Sequence, residues 1–122
     1  MKILLVDDEE DARTLAAMVL RHVGKMEVVE RADARTLVEV AAAERPDVIL
    51  LDVMLPEVDG PTALSALLAD GRTRSIPVVF FTAKAMSAEI ERLVAAGARG
   101  VITKPFDPRE LATQVKVAAG LS

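Results

Sequence analysis

Five short apolar runs, spaced along the chain, constrain the fold more than any other feature of this sequence. They are Ile3–Val6, Val28–Val29, Val48–Leu51, Val78–Phe81 and Val101–Ile102. The longer runs are apolar at every position and not at every second one, which predicts strands that are covered on both faces. Such strands are typical of a parallel sheet flanked by helices.

Helical spacing of apolar residues follows each run. The sets are Leu15, Val19 and Val23; Leu37, Val40 and Ala41; Ala63, Leu64, Leu67 and Leu68; Ile90, Leu93 and Val94; and Leu111 and Val115. Asp107 as an acidic N-cap, with Pro108 at the first helical position, predicts that the last helix begins there. Five strands alternating with five helices through right-handed crossovers predict a three-layer, doubly wound α/β fold forming one domain over residues 1–122.

Composition excludes several functional classes. With 15 basic and 19 acidic side chains the net charge is -4, so we expect no direct binding to nucleic acid. The absence of cysteine excludes disulfides, thiolate metal sites and cysteine nucleophiles. The first apolar run meets Asp7 too early for a signal peptide, and no run reaches membrane-spanning length. We therefore expect no membrane insertion and a cytoplasmic location.

Polar side chains stand where four of the five runs end. They are Asp7 and Asp8, Asp52, Thr82, and Lys104. Singly, each has an ordinary explanation: Asp8 suits a helix N-cap, and Asp52 suits the first residue of a loop. In a doubly wound sheet, however, the ligand site lies outside the carboxyl ends of the strands, so these groups should meet. Converging carboxylates favour an oxygen-preferring cation such as Mg2+, and the whole set meets the needs of phosphoryl transfer.

The same positions carry a family resemblance that extends over essentially the whole chain. The motifs are Leu5-Val6-Asp7-Asp8-Glu9, Leu50-Leu51-Asp52-Val53-Met54-Leu55-Pro56, Asp59-Gly60, Phe81-Thr82-Ala83, Ala96-Gly97-Ala98 and Lys104-Pro105-Phe106. In this combination the chain resembles the receiver domain of two-component response regulators, chemotaxis regulators among them. The resemblance implies a flavodoxin-like sheet with strand order 2-1-3-4-5.

The resemblance also implies a reaction. Asp52 would accept a phosphoryl group from a phosphohistidine on a sensor histidine kinase or a histidine phosphotransfer protein. Mg2+, with Mn2+ as a substitute, would be held by Asp8, Asp52 and the backbone carbonyl of Met54, and Asp7 would reach it through water. Such a domain is a signalling module that takes part in its own phosphorylation and autodephosphorylation, and is not an enzyme acting on other substrates.

Thr82 and Lys104 are the remaining site residues that the resemblance assigns. Thr82 would hydrogen-bond one phosphoryl oxygen, and Lys104 would pair with another. The resemblance further implies a cis peptide bond between Lys104 and Pro105.

The output surface departs from the common receiver pattern. Many receivers carry an aromatic residue three positions before the lysine of the fifth strand, where this chain has Val101. We therefore expect the switch to use movement of Thr82 and the following loop, without an aromatic reporter. The candidate switch and interface residues, which would bind a downstream target protein or a second copy of the chain, are Val101, Lys84, Ala85, Met86 and Arg109.

Three alternatives compete with this interpretation. A degenerate receiver would serve only as a docking module. A Mg-dependent aspartyl phosphatase of the haloacid dehalogenase type needs a second acid two residues after its nucleophile, where this chain has Met54. A flavodoxin-like binder needs a Gly- or Ser-rich phosphate loop after the first strand, where this chain is acidic from Asp7 to Asp11.

The chain stops soon after the last helical pattern, so we expect no output domain within it. A single-domain regulator, a phosphorelay intermediate and an excised piece of a larger protein all remain compatible with this expectation.

Overall fold

Strands and helices alternate along the whole chain in the computed structural model, which describes residues 1–83 and 86–121. The strands are β1 (Lys2–Val6), β2 (Glu27–Arg31), β3 (Val48–Leu51), β4 (Val78–Thr82) and β5 (Gly100–Thr103). The helices are α1 (Glu10–His22), α2 (Leu37–Glu44), α3 (Gly60–Ala69), α4 (Ser87–Ala95) and α5 (Leu111–Ala118). None of these described helices combines the length and the apolarity that a bilayer crossing requires.

The five strands form one parallel sheet in the order β2-β1-β3-β4-β5. The predicted α/β class, parallel pairing and flavodoxin-like order are confirmed. β1 and β3 lie side by side, with Val6 opposite Leu51, while β2 and β5 form the two edges. This order places the carboxyl ends of β1, β3, β4 and β5 next to one another at one end of the sheet.

The core consists of two apolar layers, one on each face of the sheet. Ile3, Leu5 and Phe81 face α1 and α5, whereas Leu4 and Phe80 face α2, α3 and α4. All five side chains are at most 1% exposed. Complete burial of each such side chain contributes about 1.5–3 kcal/mol, which explains why β1, β3 and β4 are almost entirely apolar.

The inward face of α1 differs from the predicted one. Leu15 and Val23 are 47% and 56% exposed, while the buried residues are Ala16, Ala17, Val19 and Leu20. A helix turns once every 3.6 residues, so positions four apart drift round its surface. Residues 15, 19 and 23 therefore cross the buried stripe instead of following it.

The start of α5 also differs from the prediction. The helix begins at Leu111, and residues 108–110 form a turn. The Asp107 carboxylate accepts a hydrogen bond from the Arg109 amide at 2.9 Å, and the Asp107 carbonyl accepts from the amides of both Glu110 and Leu111. Asp107 thus closes a separate turn that leads into the helix.

Gly60 allows α3 to begin directly against the carboxyl end of β3. Its amide donates to the Val53 carbonyl at 2.9 Å. A Cβ at this position would overlap the Asp52 carbonyl oxygen and lie 2.7 Å from Phe80 Cε1. The missing side chain therefore permits the packing of the loop that follows Asp52.

We predict that Gly60→Ala destabilises the fold by about 1–3 kcal/mol, because backbone and a buried ring must move to admit the methyl group. Gly71→Ala is the matched control, since a Cβ there would meet no atom within 4 Å. That variant should change the free energy of unfolding by less than about 0.5 kcal/mol. Urea unfolding measures both values, and equal losses in the two variants would contradict the packing argument.

Candidate functional site

The site residues follow neighbouring strands at the same end of the sheet. Asp7 comes directly after β1, Asp52 directly after β3, and Lys104 directly after β5. Thr82 is the last residue of β4 and pairs in register with Thr103 of β5. Residues that are far apart in the sequence thus lie together at the carboxyl ends of the strands, which is where the sequence placed them.

Three carboxylates converge at this end of the sheet, just beyond the last residues of the strands. Asp7, Asp8 and Asp52 each offer an oxygen, and these oxygens all lie within 4.8 Å of one another. Asp7 is fully buried and Asp52 is 9% exposed, whereas Asp8 lies on the solvent side. A set of oxygen donors only, open on one side, fits a hard divalent cation such as Mg2+.

Lys104 joins two of these carboxylates. Its ammonium lies 2.6 Å from Asp7 Oδ2 and 3.0 Å from Asp52 Oδ2, and 4.9 Å from the centre of the Phe81 ring. The Lys104 amide donates to the Thr82 carbonyl at 2.9 Å. The Lys104–Pro105 peptide bond is cis, as the resemblance implied.

Backbone amides hold the buried carboxylates in place. Asp7 Oδ1 accepts from the Glu9 amide at 3.0 Å, and Asp52 Oδ1 accepts from the Met54 amide at 3.1 Å. Each bond closes a tight turn just after a strand, which is a common role of aspartate. The second turn also brings the backbone of Met54 beside the Asp52 carboxylate. Glu9, and not Asp8 as the sequence suggested, occupies the N-cap position of α1.

Burial dominates the ionisation of Asp52. It raises the pKa of Asp52 above the ordinary 3.8, although hydrogen bonding and attraction from Lys104 act in the opposite direction. For Lys104, burial lowers the pKa, but the bonds to Asp7 and Asp52 outweigh it and raise the pKa above 10.5. Lys104 is therefore cationic at neutral pH. One ammonium among three carboxylates leaves net negative charge in the cluster.

The remaining candidate residues lie around this cluster. Thr82 is 3% exposed and has an interaction partner, and the Met54 side chain is 67% exposed. Val101 lies beside a groove of about 590 Å³ between β5 and α5, whose lining includes none of the three clustered aspartates. Met86 is 75% exposed before α4, and the Arg109 side chain is 89% exposed and paired with Asp107. Lys84 and Ala85 lie outside the described residues.

An apolar groove of about 500 Å³ adjoins the site between α1 and the β5–α5 loop. Leu15, Phe81, Pro105 and Phe106 contribute to its wall, and Lys104 reaches it from the acidic cluster. The sequence pattern placed Leu15 in the core, but its side chain is exposed on the wall of this groove.

One contact of the site was missed by the sequence reasoning. Arg13, in the first turn of α1, donates from Nη1 to the backbone carbonyl of Asp7 at 2.8 Å. Helical side chains point back toward the helix N-terminus. A long cationic side chain in the first turn of a helix can therefore reach the loop before it, and this position of Arg13 after an acidic loop could have predicted the contact.

The family model described as the response regulator receiver domain matches residues 3–116. The chain belongs to this family. Receiver domains are signalling domains of two-component systems and not classical enzymes. The match includes β2 to β5, all of β1 but its first residue, and every site residue described above.

Relatives and solved structures agree with this assignment. The chain is 38% identical over 115 residues to the phosphate regulon transcriptional regulatory protein PhoB of Klebsiella pneumoniae, covering 94% of this chain and 50% of that protein. It is 38% identical over 117 residues to the alkaline phosphatase synthesis transcriptional regulatory protein PhoP of Bacillus subtilis, covering 94% and 47%. The chain thus spans about half the length of these curated relatives.

Two solved structures superimpose closely. The chemotaxis protein CheY4 of Vibrio cholerae has a TM-score of 0.87 at 29% identity, covering 96% of this chain and 97% of that one. The receiver domain of sensor histidine kinase PA1611 from Pseudomonas aeruginosa PAO1 has a TM-score of 0.85 at 33% identity, covering 98% and 97%. The latter structure has a magnesium ion coordinated in its active site cleft.

We predict that Lys104→Met destabilises the metal-free protein at neutral pH by about 2–4 kcal/mol, because two carboxylates lose their counter-charge. The loss should be below that of a fully buried pair, since the Lys104 side chain is 18% exposed. Without the ammonium, the already raised pKa of Asp52 rises further, so the folded variant binds protons more readily than its unfolded chain. The deficit relative to wild type should therefore shrink as the pH falls.

Urea unfolding across a pH series, with a chelator present, measures this deficit. Lys116→Met is the control, because it removes a lysine of α5 that has no ion-pair partner among the described residues. A deficit that is independent of pH, or equal in the two variants, would contradict the electrostatic role of Lys104.

Proposed function

We propose that this protein is a phosphoacceptor receiver in which Asp52 takes a phosphoryl group from a phosphohistidine. The donor is a sensor histidine kinase or a histidine phosphotransfer protein. The observation that carries the proposal is the meeting of three carboxylates with the Lys104 ammonium at the carboxyl ends of the strands. Membership of the receiver family supports the same reaction.

The transfer follows from the chemistry of the two partners. A carboxylate oxygen of Asp52 attacks the phosphorus atom, the phosphorus–nitrogen bond of the phosphohistidine breaks, and an acyl phosphate forms. The departing imidazole keeps the electron pair of the broken bond and takes up a proton. Burial and the raised pKa make Asp52 a more basic nucleophile than a solvated aspartate.

Asp8, Asp52 and the Met54 carbonyl are the groups that would hold Mg2+, with Asp7 reaching the ion through water. A carboxylate and an anionic phosphoryl donor repel each other. The bound ion would reduce this repulsion by cancelling part of their negative charge. The magnesium ion in the active site cleft of the PA1611 receiver domain supports this assignment. Mn2+ has the same preference for oxygen ligands and would substitute.

Lys104 and Thr82 would hold the product. Once Asp52 carries the phosphoryl group, the Lys104 ammonium can exchange its bond to Asp52 for one to a phosphoryl oxygen while keeping its bond to Asp7. The Thr82 hydroxyl, at the end of the adjacent strand, would donate to another phosphoryl oxygen. Charge-assisted bonds of this kind are among the strongest hydrogen bonds in proteins.

The phosphorylated protein would act by binding a target protein or a second copy of itself. A DNA-binding partner or output region fits this proposal, because several relatives are named as transcriptional regulators. Direct binding of nucleic acid by this chain is not proposed, since its net charge is -4. None of the three alternative functions is favoured by a specific observation. The acidic set is complete, Met54 stands where a phosphatase needs its second acid, and the segment after β1 is acidic where a flavodoxin-like binder needs glycine or serine.

We predict that acetyl phosphate or a phosphohistidine donor adds one phosphoryl group to the wild-type protein in the presence of Mg2+, and that chelation prevents it. Asp52→Asn should abolish the addition, because the nucleophile is removed. Asp11→Asn, which alters an exposed acid of α1 outside the cluster, should leave it intact. Intact mass spectrometry measures the outcome. An unmodified wild-type mass with every donor, or continued labelling of Asp52→Asn, would overturn the proposal.

We further predict that the switch operates with Val101 in place of an aromatic residue. Binding of beryllofluoride, a phosphoryl mimic, should shift the backbone amide resonances of Thr82, Val101 and α4. The groove beside Val101 and the exposed side chain of Met86 are the surfaces expected to respond. Shifts confined to the acidic cluster and absent around Val101 and α4 would rule out this output surface.

A further inference from the structure

Arg13 connects α1 to the strand end that carries the acidic cluster. Its guanidinium donates from Nη1 to the Asp7 carbonyl at 2.8 Å, while its Nε lies 3.6 Å from Glu30 Oε1. The side chain is only 17% exposed. A long, flexible side chain is thus held between a strand-end carbonyl and the carboxylate of a neighbouring strand.

The carbonyl that Arg13 binds belongs to the peptide linking Asp7 to Asp8. Asp7 itself is fixed through its carboxylate by Glu9 and Lys104. Within the described part of the chain, by contrast, no side-chain hydrogen bond or ion pair holds the carboxylate of Asp8. The direction of the Asp8 side chain therefore depends on the orientation of the peptide before it.

From these contacts we infer that Arg13 is a positioning residue for the cation site, holding the Asp7–Asp8 peptide so that the Asp8 carboxylate faces those of Asp7 and Asp52. This inference rests on the proposed function, because it assigns Arg13 a role toward the Mg2+ that the acids would bind. Groups that orient metal ligands without touching the metal commonly change metal affinity by about 10–100-fold when they are removed.

The sign of the effect separates positioning from simple electrostatics. Arg13 is a cation beside an anionic site, so through charge alone its removal would strengthen the binding of Mg2+. If Arg13 orients the peptide, its removal weakens binding in spite of the gain in negative charge. A purely structural role would lower thermal stability but leave the affinity of the folded protein unchanged.

Arg21 provides a matched control on the same helix. It donates to the Val28 carbonyl at 2.8 Å and lies 3.1 Å from Glu30 Oε2. It therefore makes the same kinds of contact as Arg13, to a backbone carbonyl and to the same glutamate, but the carbonyl belongs to β2 and not to the acidic loop.

The experiment compares the Mg2+ affinity of wild type, Arg13→Ala and Arg21→Ala by isothermal titration calorimetry, well below the unfolding temperature of each variant. We expect Arg13→Ala to bind Mg2+ about tenfold more weakly and Arg21→Ala to stay within about twofold of wild type. Amide NMR spectra of Asp8 should show a shifted, broadened resonance only in Arg13→Ala. Unchanged or tighter binding by Arg13→Ala would overturn the inference, as would an equal loss in both variants.

Arg13→Lys and Arg21→Lys form a second pair that keeps the charge and most of the side chain, in case Arg13→Ala does not fold. Lysine is shorter and has a single donor group, so Arg13→Lys should lose part of the affinity and Arg21→Lys none. Equal affinities in this pair would count against positioning. Failure of wild type to bind Mg2+ would instead overturn the proposed function, which keeps the two failures distinct.

Discussion

The bonds from the Lys104 ammonium to Asp7 and Asp52 are the interaction on which the rest of the site depends. Two carboxylates with little solvent around them repel each other strongly, and one ammonium between them reduces that repulsion. Because Asp8 adds a further negative charge, the compensation is incomplete. This residual charge would favour a cation beside the cluster.

The parallel sheet makes this arrangement obligatory. Asp7, Asp52 and Lys104 each follow the last residue of a strand directly, so the register of β1, β3, β4 and β5 determines where their side chains lie. A shift of one residue in any strand would exchange its two faces and move the polar group out of the cluster. Packing of the apolar strands on both faces thus also fixes the geometry of the chemistry.

The elements that the sequence predicted well are those with one dominant physical cause. Strands apolar at every position predicted a covered parallel sheet, and polar residues at their ends predicted the acidic edge with Lys104. Details that depend on side-chain reach or helix phase were not accessible from the pattern. The exposure of Leu15 follows from a few tens of degrees of helix rotation, and the bond from Arg13 to the Asp7 carbonyl follows from the path of one long side chain.

The acidic cluster combines two firmly held carboxylates with one exposed carboxylate, and this combination would suit a site that binds and releases an ion. Asp7 and Asp52 are held by backbone amides and by Lys104, so their positions do not depend on a bound ion. Asp8 lies on the solvent side, and among the described residues no side-chain hydrogen bond or ion pair holds its carboxylate. An ion would therefore approach on the side of the exposed Asp8 carboxylate and find the Asp52 carboxylate already in place, with Asp7 reaching the ion through water. Preorganised donors reduce the reorganisation needed on binding, while the exposed ligand keeps a path for release.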